Sequence, residues 1–394
     1  MNSKPAVLGR SRRTRVFTVL AALSAGLVAT LLLSGFHIGV RELGDAGDIA
    51  VSELTTPEVI GIRTFTAPSG IRVIEDVTYG TRDDGTLLTL DVCRPADTAA
   101  TEATAANAVR ADAVQTDAVE ADAVEADAVA ADAMLPGATL PDTPLPDATL
   151  PGAEDAPGDV PQAGLPAIVS IHGGSWARGD KANDDWRNVC SWLASEGFVA
   201  YSLNYRLVPE ALFPAAIDDV ALAVEWMRTP ANASRFGIDP ARIGAFGGSA
   251  GGNLAALLGT RGTGPLDEGS RVAAVAELSA PTDLRREAVL RDGGNELLQT
   301  IITRYLGCEE WTLCPQAEDA SPSTFVDRSD PPFFIGHAAS EFIPLAQAQT
   351  FAGVLDAAGI GVEYVVVPGD DHSIGILDEA MRARVAGFLH AQLG

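Results

Sequence analysis

The chain has 394 residues, 27 basic against 53 acidic, for a formal charge of −26, and 47% of its residues are hydrophobic. That excess of negative charge argues against a nucleic-acid partner, whose phosphates need neutralising. The four cysteines and five histidines show no zinc-type spacing, so neither a metal nor a cofactor is expected.

The amino terminus carries Arg10, Arg12, Arg13 and Arg15, then an uncharged, mostly apolar stretch over residues 16–36. A helix of that length spans roughly 30 Å, enough to cross a bilayer, and the arginines hold its near end in the cytoplasm. No clear small-x-small cleavage site follows. Residues 1–45 are therefore expected to be a cytoplasmic tail with a membrane anchor, the alternative being a cleaved signal. Either way the remainder, 46–394, faces outward, anchored to the membrane or secreted.

Apolar runs then predict strands at 73–79 and 87–93, which read as an antiparallel pair at the edge of a sheet. From 97 to 164 the chain changes character to Ala, Asp and Pro. Asp112, Asp117, Asp122, Asp127 and Asp132 recur every five residues, and the period continues as Leu135, Leu140, Leu145 and Leu150. A pentapeptide β-helix would need a larger apolar residue where this repeat offers alanine, and proline interrupts it. A solvated, disordered insertion is expected. It holds about 14 acids against one arginine, near half of the net charge. Without the insertion and the tail about 250 residues remain, enough for one domain with a full core.

Beyond the insertion, strands at 167–171, 199–203, 243–247, 273–278, 333–336 and 362–367 alternate with helices at 185–196, 216–227, 250–258, 345–358 and 377–393. Alternation of this kind predicts an α/β fold, a mainly parallel central sheet with helices on both faces. Active residues of such folds gather at the carboxyl ends of strands. Residues 285–323, with helix-like 295–306 and a cysteine loop, can form a small lid or pocket wall.

Leu165-Pro-Ala-Ile-Val-Ser-Ile171 runs directly into His172-Gly-Gly-Ser-Trp176. Amides in such a turn can face a reacting carbonyl, which makes Gly173 and Gly174 candidate oxyanion donors, with Ala250 as the remaining one. His172 sits behind the glycines and reads as structural. Further on, Gly247-Gly-Ser-Ala-Gly-Gly252 places Ser249 in a G-x-S-x-G frame after an apolar run, the pattern of a nucleophile at a sharp strand-to-helix turn.

A general base should follow the serine. His390 lies in the last helix. His337 ends an apolar run and reads as a structural histidine, whereas His372 follows the strand Val362-Glu-Tyr-Val-Val-Val367 through a loop and is the candidate base. The acid that orients it reads as Glu341, with Asp370 and Asp371 as alternatives. Trp176 and Tyr205 are candidate substrate-binding residues, or simply packing. Cys308 and Cys314 enclose a short loop and can bond. Cys93 and Cys190 read as buried thiols, although four cysteines leave the connectivity open.

Taken together, residues 71–393 resemble an alpha/beta-hydrolase of the hormone-sensitive-lipase and bacterial carboxylesterase group. The likeness lies in His172-Gly-Gly-Ser-Trp, Asn204-Tyr-Arg-Leu-Val-Pro-Glu210, Phe213-Pro-Ala-Ala-Ile-Asp-Asp219 and Gly248-Ser-Ala-Gly-Gly-Asn253, in that order. The resemblance implies Ser249 as nucleophile, His372 as base and an acid in the loop after Gly336. Three positions depart from it: Ser175 replaces a third glycine, Gly248 replaces an aspartate, and the acid loop is one residue short. Counted from His337 the acid position falls on Glu341, but counted back from Pro344 it falls on Ser340. The expected function is serine ester hydrolysis of a small-molecule or lipid ester, through an acyl-enzyme and with short acyl chains. The alternatives are a weakly active or noncatalytic binding protein, or a serine peptidase of the same fold.

Overall fold

A computed structural model describes residues 61–82, 85–96 and 164–394. The expected anchor and the insertion lie outside the described residues, and every described residue belongs to the compact unit Thr56–Gly394. Among the described residues, no helix is long and apolar enough to cross a membrane.

Eight strands form one sheet: β1 (Ile71–Thr81), β2 (Leu87–Pro95), β3 (Leu165–Ile171), β4 (Val199–Leu203), β5 (Ile238–Gly248), β6 (Ala274–Leu278), β7 (Phe333–Ala338) and β8 (Val362–Val367). Their spatial order is β1-β2-β4-β3-β5-β6-β7-β8. β1 pairs with β2 and β2 with β4 in antiparallel fashion, and all later pairs are parallel. The edge hairpin and the parallel body are those expected from the apolar runs.

The short, continuous apolar runs are explained by cover on both faces. Every residue of β4, β6 and β7 is buried, as strands sandwiched between helix layers must be. Alternate side chains serve opposite faces. Val169, Tyr201 and Ala245 pack under α2 (Ala215–Arg228), α4 (Ala250–Thr260) and α8 (Leu345–Ala358), through residues such as Val220, Leu254 and Phe351. Ile168, Ala200, Phe246 and Phe334 pack on the other face with α1 (Asp184–Ser195) and α9 (Glu379–Leu393), where Trp192 meets Phe246 edge-on at 5.7 Å.

Helix starts are set by capping side chains. Asn183 accepts from the Trp186 amide at the start of α1, and Asp378 accepts from the Met381 amide at the start of α9. Between β6 and β7 the chain builds α5 (Arg286–Arg291), α6 (Glu296–Leu306) and the short α7 (Gln316–Asp319), with Asn295 capping α6 through the Leu298 amide. The remaining helix, α3 (Pro230–Phe236), precedes β5.

Cys308 bonds to Cys314, and Cys93 bonds to Cys190. The reading of Cys93 and Cys190 as thiols is therefore corrected. Cys93 lies on β2 and Cys190 on α1, 97 positions apart with the insertion between them. Only the packing of α1 over the sheet brings them together.

Candidate active site

Ser249 stands between the end of β5 and the first residue of α4, with φ 57° and ψ −123°. This region is costly for a residue with a Cβ and persists only where the surroundings impose it. Here the Ser249 amide donates to the Leu278 carbonyl at 2.8 Å, and its carbonyl accepts from the Asn253 amide at 3.0 Å. Asn253, fully buried, donates from Nδ2 to the carbonyls of Pro281 and Ala320. The elbow is thereby tied to the segment after β6. Small residues around it are a packing requirement: a Cβ on Gly251 would lie 2.0 Å from the Ile171 carbonyl oxygen. The Ser249 hydroxyl is partly exposed and has no hydrogen-bond partner among the described residues.

The β3 end delivers the glycine turn against this serine. A Cβ on Gly173 would come 3.3 Å from the Ser249 Cβ, so the two backbones are nearly in contact. Gly174 has φ 126°, and its carbonyl accepts from the amides of Ala177 and Arg178. Among the described residues no acceptor takes up the amides of Gly173, Gly174 or Ala250.

Residues behind the turn fix its shape. His172 is 1% exposed, donates from Nδ1 to the Gly173 carbonyl at 2.8 Å, and stacks on Tyr205 at 4.4 Å. Burial lowers its pKa to about 4, so it is neutral at ordinary pH. The Tyr205 hydroxyl donates to the His172 carbonyl at 2.9 Å. Beyond the turn, Lys181 is buried and its Nζ donates to Asp91 at 2.6 Å and Asp76 at 2.9 Å, pinning the loop to β2 and β1. Arg206 pairs with buried Asp219 at 2.8 Å, which fastens the Tyr205 segment to α2.

Trp176 and Tyr205, read as candidate substrate contacts, are 1% and 3% exposed. Trp176 stacks flat on Tyr305 of α6, 4.1 Å between ring centres. Neither ring offers an open surface, and both contribute packing beneath the turn. The segment read as a lid or pocket wall is thus docked through Tyr305. Along its outer side runs an open cavity of about 610 Å³, bordered by Arg285, Trp311 and Leu313 among others and by none of the candidate catalytic residues.

The candidate acid and base come from the loops after β7 and β8, which are zipped together. The Ala339 amide donates to the Val367 carbonyl and the Ser340 amide to the Gly369 carbonyl. This brings His372 Nδ1 to 2.5 Å from Glu341 Oε2, an oxygen that also accepts from the Ile343 amide at 2.9 Å. Neither Asp370 nor Asp371 bonds to the ring among the described residues. Burial by itself works against the Glu341 charge, but the His337 and His372 imidazoles overcome it and hold its pKa at about 2. Phe342 contacts the His372 ring edge-on at 6.0 Å.

His372 reaches the elbow through its neighbour. The Ser373 amide donates to Ser279 Oγ at 2.9 Å, and Ser373 Oγ lies 2.1 Å from where a Cβ on Gly248 would stand. No hydrogen bond joins the Ser249 hydroxyl to the His372 ring among the described residues. An unliganded hydrolytic site often closes this contact only on binding.

His337 was read as a histidine bonded at a strand end, and its Nδ1 does meet the Ala338 carbonyl at 2.7 Å. Sequence reasoning missed that its Nε2 also stands 2.9 Å from Glu341 Oε1. The four-residue spacing of His337 and Glu341 was visible, but nothing local said that the loop folds back.

The chain is similar to known esterases in sequence and in fold. The BD-FAE family model matches residues 158–355. The esterase LipC of Mycobacterium tuberculosis is 34% identical over 235 residues, 56% of each chain. Ethyl acetate hydrolase of Pseudomonas putida is 30% identical over 57% of this chain and 72% of its own. The chain thus spans little more than half of the first of these relatives. Among solved structures, Thermogutta terrifontis esterase 2 superposes with a TM-score of 0.56 over 84% of this chain and 97% of its own, at 21% identity, a likeness of fold alone.

Proposed function

This chain belongs to the BD-FAE family of alpha/beta-hydrolases, and on that premise we propose that it is a serine hydrolase of carboxylic esters with short acyl chains. The relatives named esterase and ethyl acetate hydrolase support the reaction class. The observation that carries the reading is the 2.5 Å contact between Glu341 Oε2 and His372 Nδ1. It fixes the tautomer that leaves Nε2 free to take a proton from Ser249.

In this reading Ser249 Oγ attacks the ester carbonyl while His372 takes its proton. The amides of Gly173, Gly174 and Ala250 hold the oxyanion, and the protonated imidazole gives its proton to the departing alcohol. Water, deprotonated by the same ring, then releases the acid from the acyl-enzyme. A noncatalytic role would follow from a missing acid, and Glu341 at the imidazole speaks against it. Amides already fixed in this turn need no rearrangement during attack, which is where such sites gain most of their rate.

The expected placement outside the cytoplasm, by anchor or secretion, is also proposed. Its support is the pair of disulfides, which persist in oxidising compartments.

The test is hydrolysis of p-nitrophenyl esters from acetate to palmitate. Highest kcat/KM at acetate or butyrate supports the reading, whereas no turnover of any ester, or a preference for the longest chains, contradicts it.

A further inference from the structure

Glu341 is met by two imidazoles, and only His372 has a role in the reaction just described. The other, His337, is 0% exposed at the end of β7. Its Nδ1 lies 2.7 Å from the Ala338 carbonyl oxygen, which can only accept, so this nitrogen carries a hydrogen. Its Nε2 lies 2.9 Å from Glu341 Oε1, at ion-pair distance though off the hydrogen-bond axis. That oxygen has no other polar partner among the described residues. A neutral imidazole has one N–H and one lone pair. A neutral ring here would therefore leave an unprotonated nitrogen 2.9 Å from a carboxylate oxygen, with both side chains fully buried.

We propose that His337 is held as an imidazolium, forming a buried ion pair with Glu341, and that it is a positioning residue that limits the negative charge Glu341 presents to His372. This inference rests on the assignment of Ser249, His372 and Glu341 given above. The working unit is then four residues, Ser249, His372, Glu341 and His337. It also accounts for both carboxylate oxygens: Oε2 is held by His372 and the Ile343 amide, and Oε1 stands 2.9 Å from the His337 ring.

The surroundings fit the cation. Burial opposes charging of His337, but Glu341 and then the Ala338 carbonyl raise its pKa. Glu277, facing it from β6, is fully buried, and burial pushes its own pKa up to about 8. At neutral pH it is therefore mostly protonated, and the His337–Glu341 pair is close to neutral overall. From β8 the remaining titratable neighbour is Tyr364, which senses Glu277. The turn Ser373–Ile376 brings no charged side chain.

A positive charge beyond Glu341 offsets part of the negative charge that the carboxylate turns toward His372. Removing that charge must move the acid limb of kcat/KM upward.

The test uses the full chain labelled with 15N-histidine, as native protein and as Ser249→Ala, with His337→Gln for assignment and kinetics. One histidine protonated at both ring nitrogens at neutral pH, absent in His337→Gln, supports the proposal. So does an acid limb raised by about one pH unit or more in that variant. A neutral His337 in the native spectrum overturns it, as does an unmoved limb. If His337→Gln does not fold, the native and Ser249→Ala spectra decide alone. Full hydrolysis by Ser249→Ala, with the imidazolium still present, would instead remove the serine mechanism and leave the ion pair standing.

Discussion

Glu341 and Ser340 lie side by side in the loop after β7, and it is Glu341 that places Oε2 at 2.5 Å from His372 Nδ1. Glu341→Gln keeps the shape but offers the imidazole an uncharged partner or the wrong tautomer. Turnover of p-nitrophenyl acetate should fall by about 10³- to 10⁴-fold with KM little changed. A loss below tenfold would show that another group orients His372.

Gly251 tests the closeness of the elbow and the oxyanion strand. An alanine there would put Cβ 2.0 Å from the Ile171 oxygen and 2.6 Å from the His172 oxygen, both backbone atoms that cannot turn aside. The turn carrying Gly173 must then move. Gly251→Ala should lose at least about 100-fold in kcat, as removal of an oxyanion donor does. It should also melt lower than the native chain in calorimetry. Native activity in this variant would mean that the two segments are not packed as described.

Acid stability should carry the signature of Glu341. Its folded pKa, about 2, lies below the ordinary 4.5, so its contribution is complete above about pH 4.5 and is lost as pH falls toward 2. Denaturant titrations across that window should show a shallower decline for Glu341→Gln than for the native chain.

Glu277 has the opposite sign. Its folded pKa, raised to about 8 by burial, means that the protonated form is favoured by folding, and stability is lost as pH rises from about 4.5 through 8. Glu277→Gln removes that penalty while keeping an acceptor for the Ala280 amide, which Oε2 now meets at 3.0 Å. Its melting temperature relative to native should be higher at pH 8 than at pH 5. Equal differences at both would show that Glu277 ionises freely.

The Cys93–Cys190 bond closes a loop containing the whole acidic insertion. Replacing both cysteines by serine should cost about 2–4 kcal/mol, seen as a lower urea midpoint. An unchanged midpoint under oxidising conditions would contradict the pairing.

Much of this was legible in the sequence, and the rest was hidden for physical reasons. Strands β4 and β8 and helix α8 have the predicted ends because their apolar runs are bounded by turn residues on both sides. β5 begins earlier than read, at Ile238, because its first part is half exposed and carries Asp239, Pro240 and Arg242, with no apolar run to mark it. The α3 helix was missed since seven residues beginning with proline give too little period. At the site, Ser249 and the glycine turn announce themselves through local geometry that only small residues permit. The burial of Trp176 against Tyr305 and the Lys181–Asp91 pair depend on segments far apart in sequence meeting in the fold, and the His337–Glu341 contact depends on a loop folding back on its own strand. No local pattern records such meetings.

The most direct measurement is the mass of the intact chain, and of its Ser249 peptide, after treatment with a fluorophosphonate. The native chain should gain one phosphonyl group on Ser249, Glu341→Gln should gain it far more slowly, and Ser249→Ala should gain none. An adduct on another residue, or none on the native chain while it still hydrolyses p-nitrophenyl acetate, would contradict a reaction carried by Ser249.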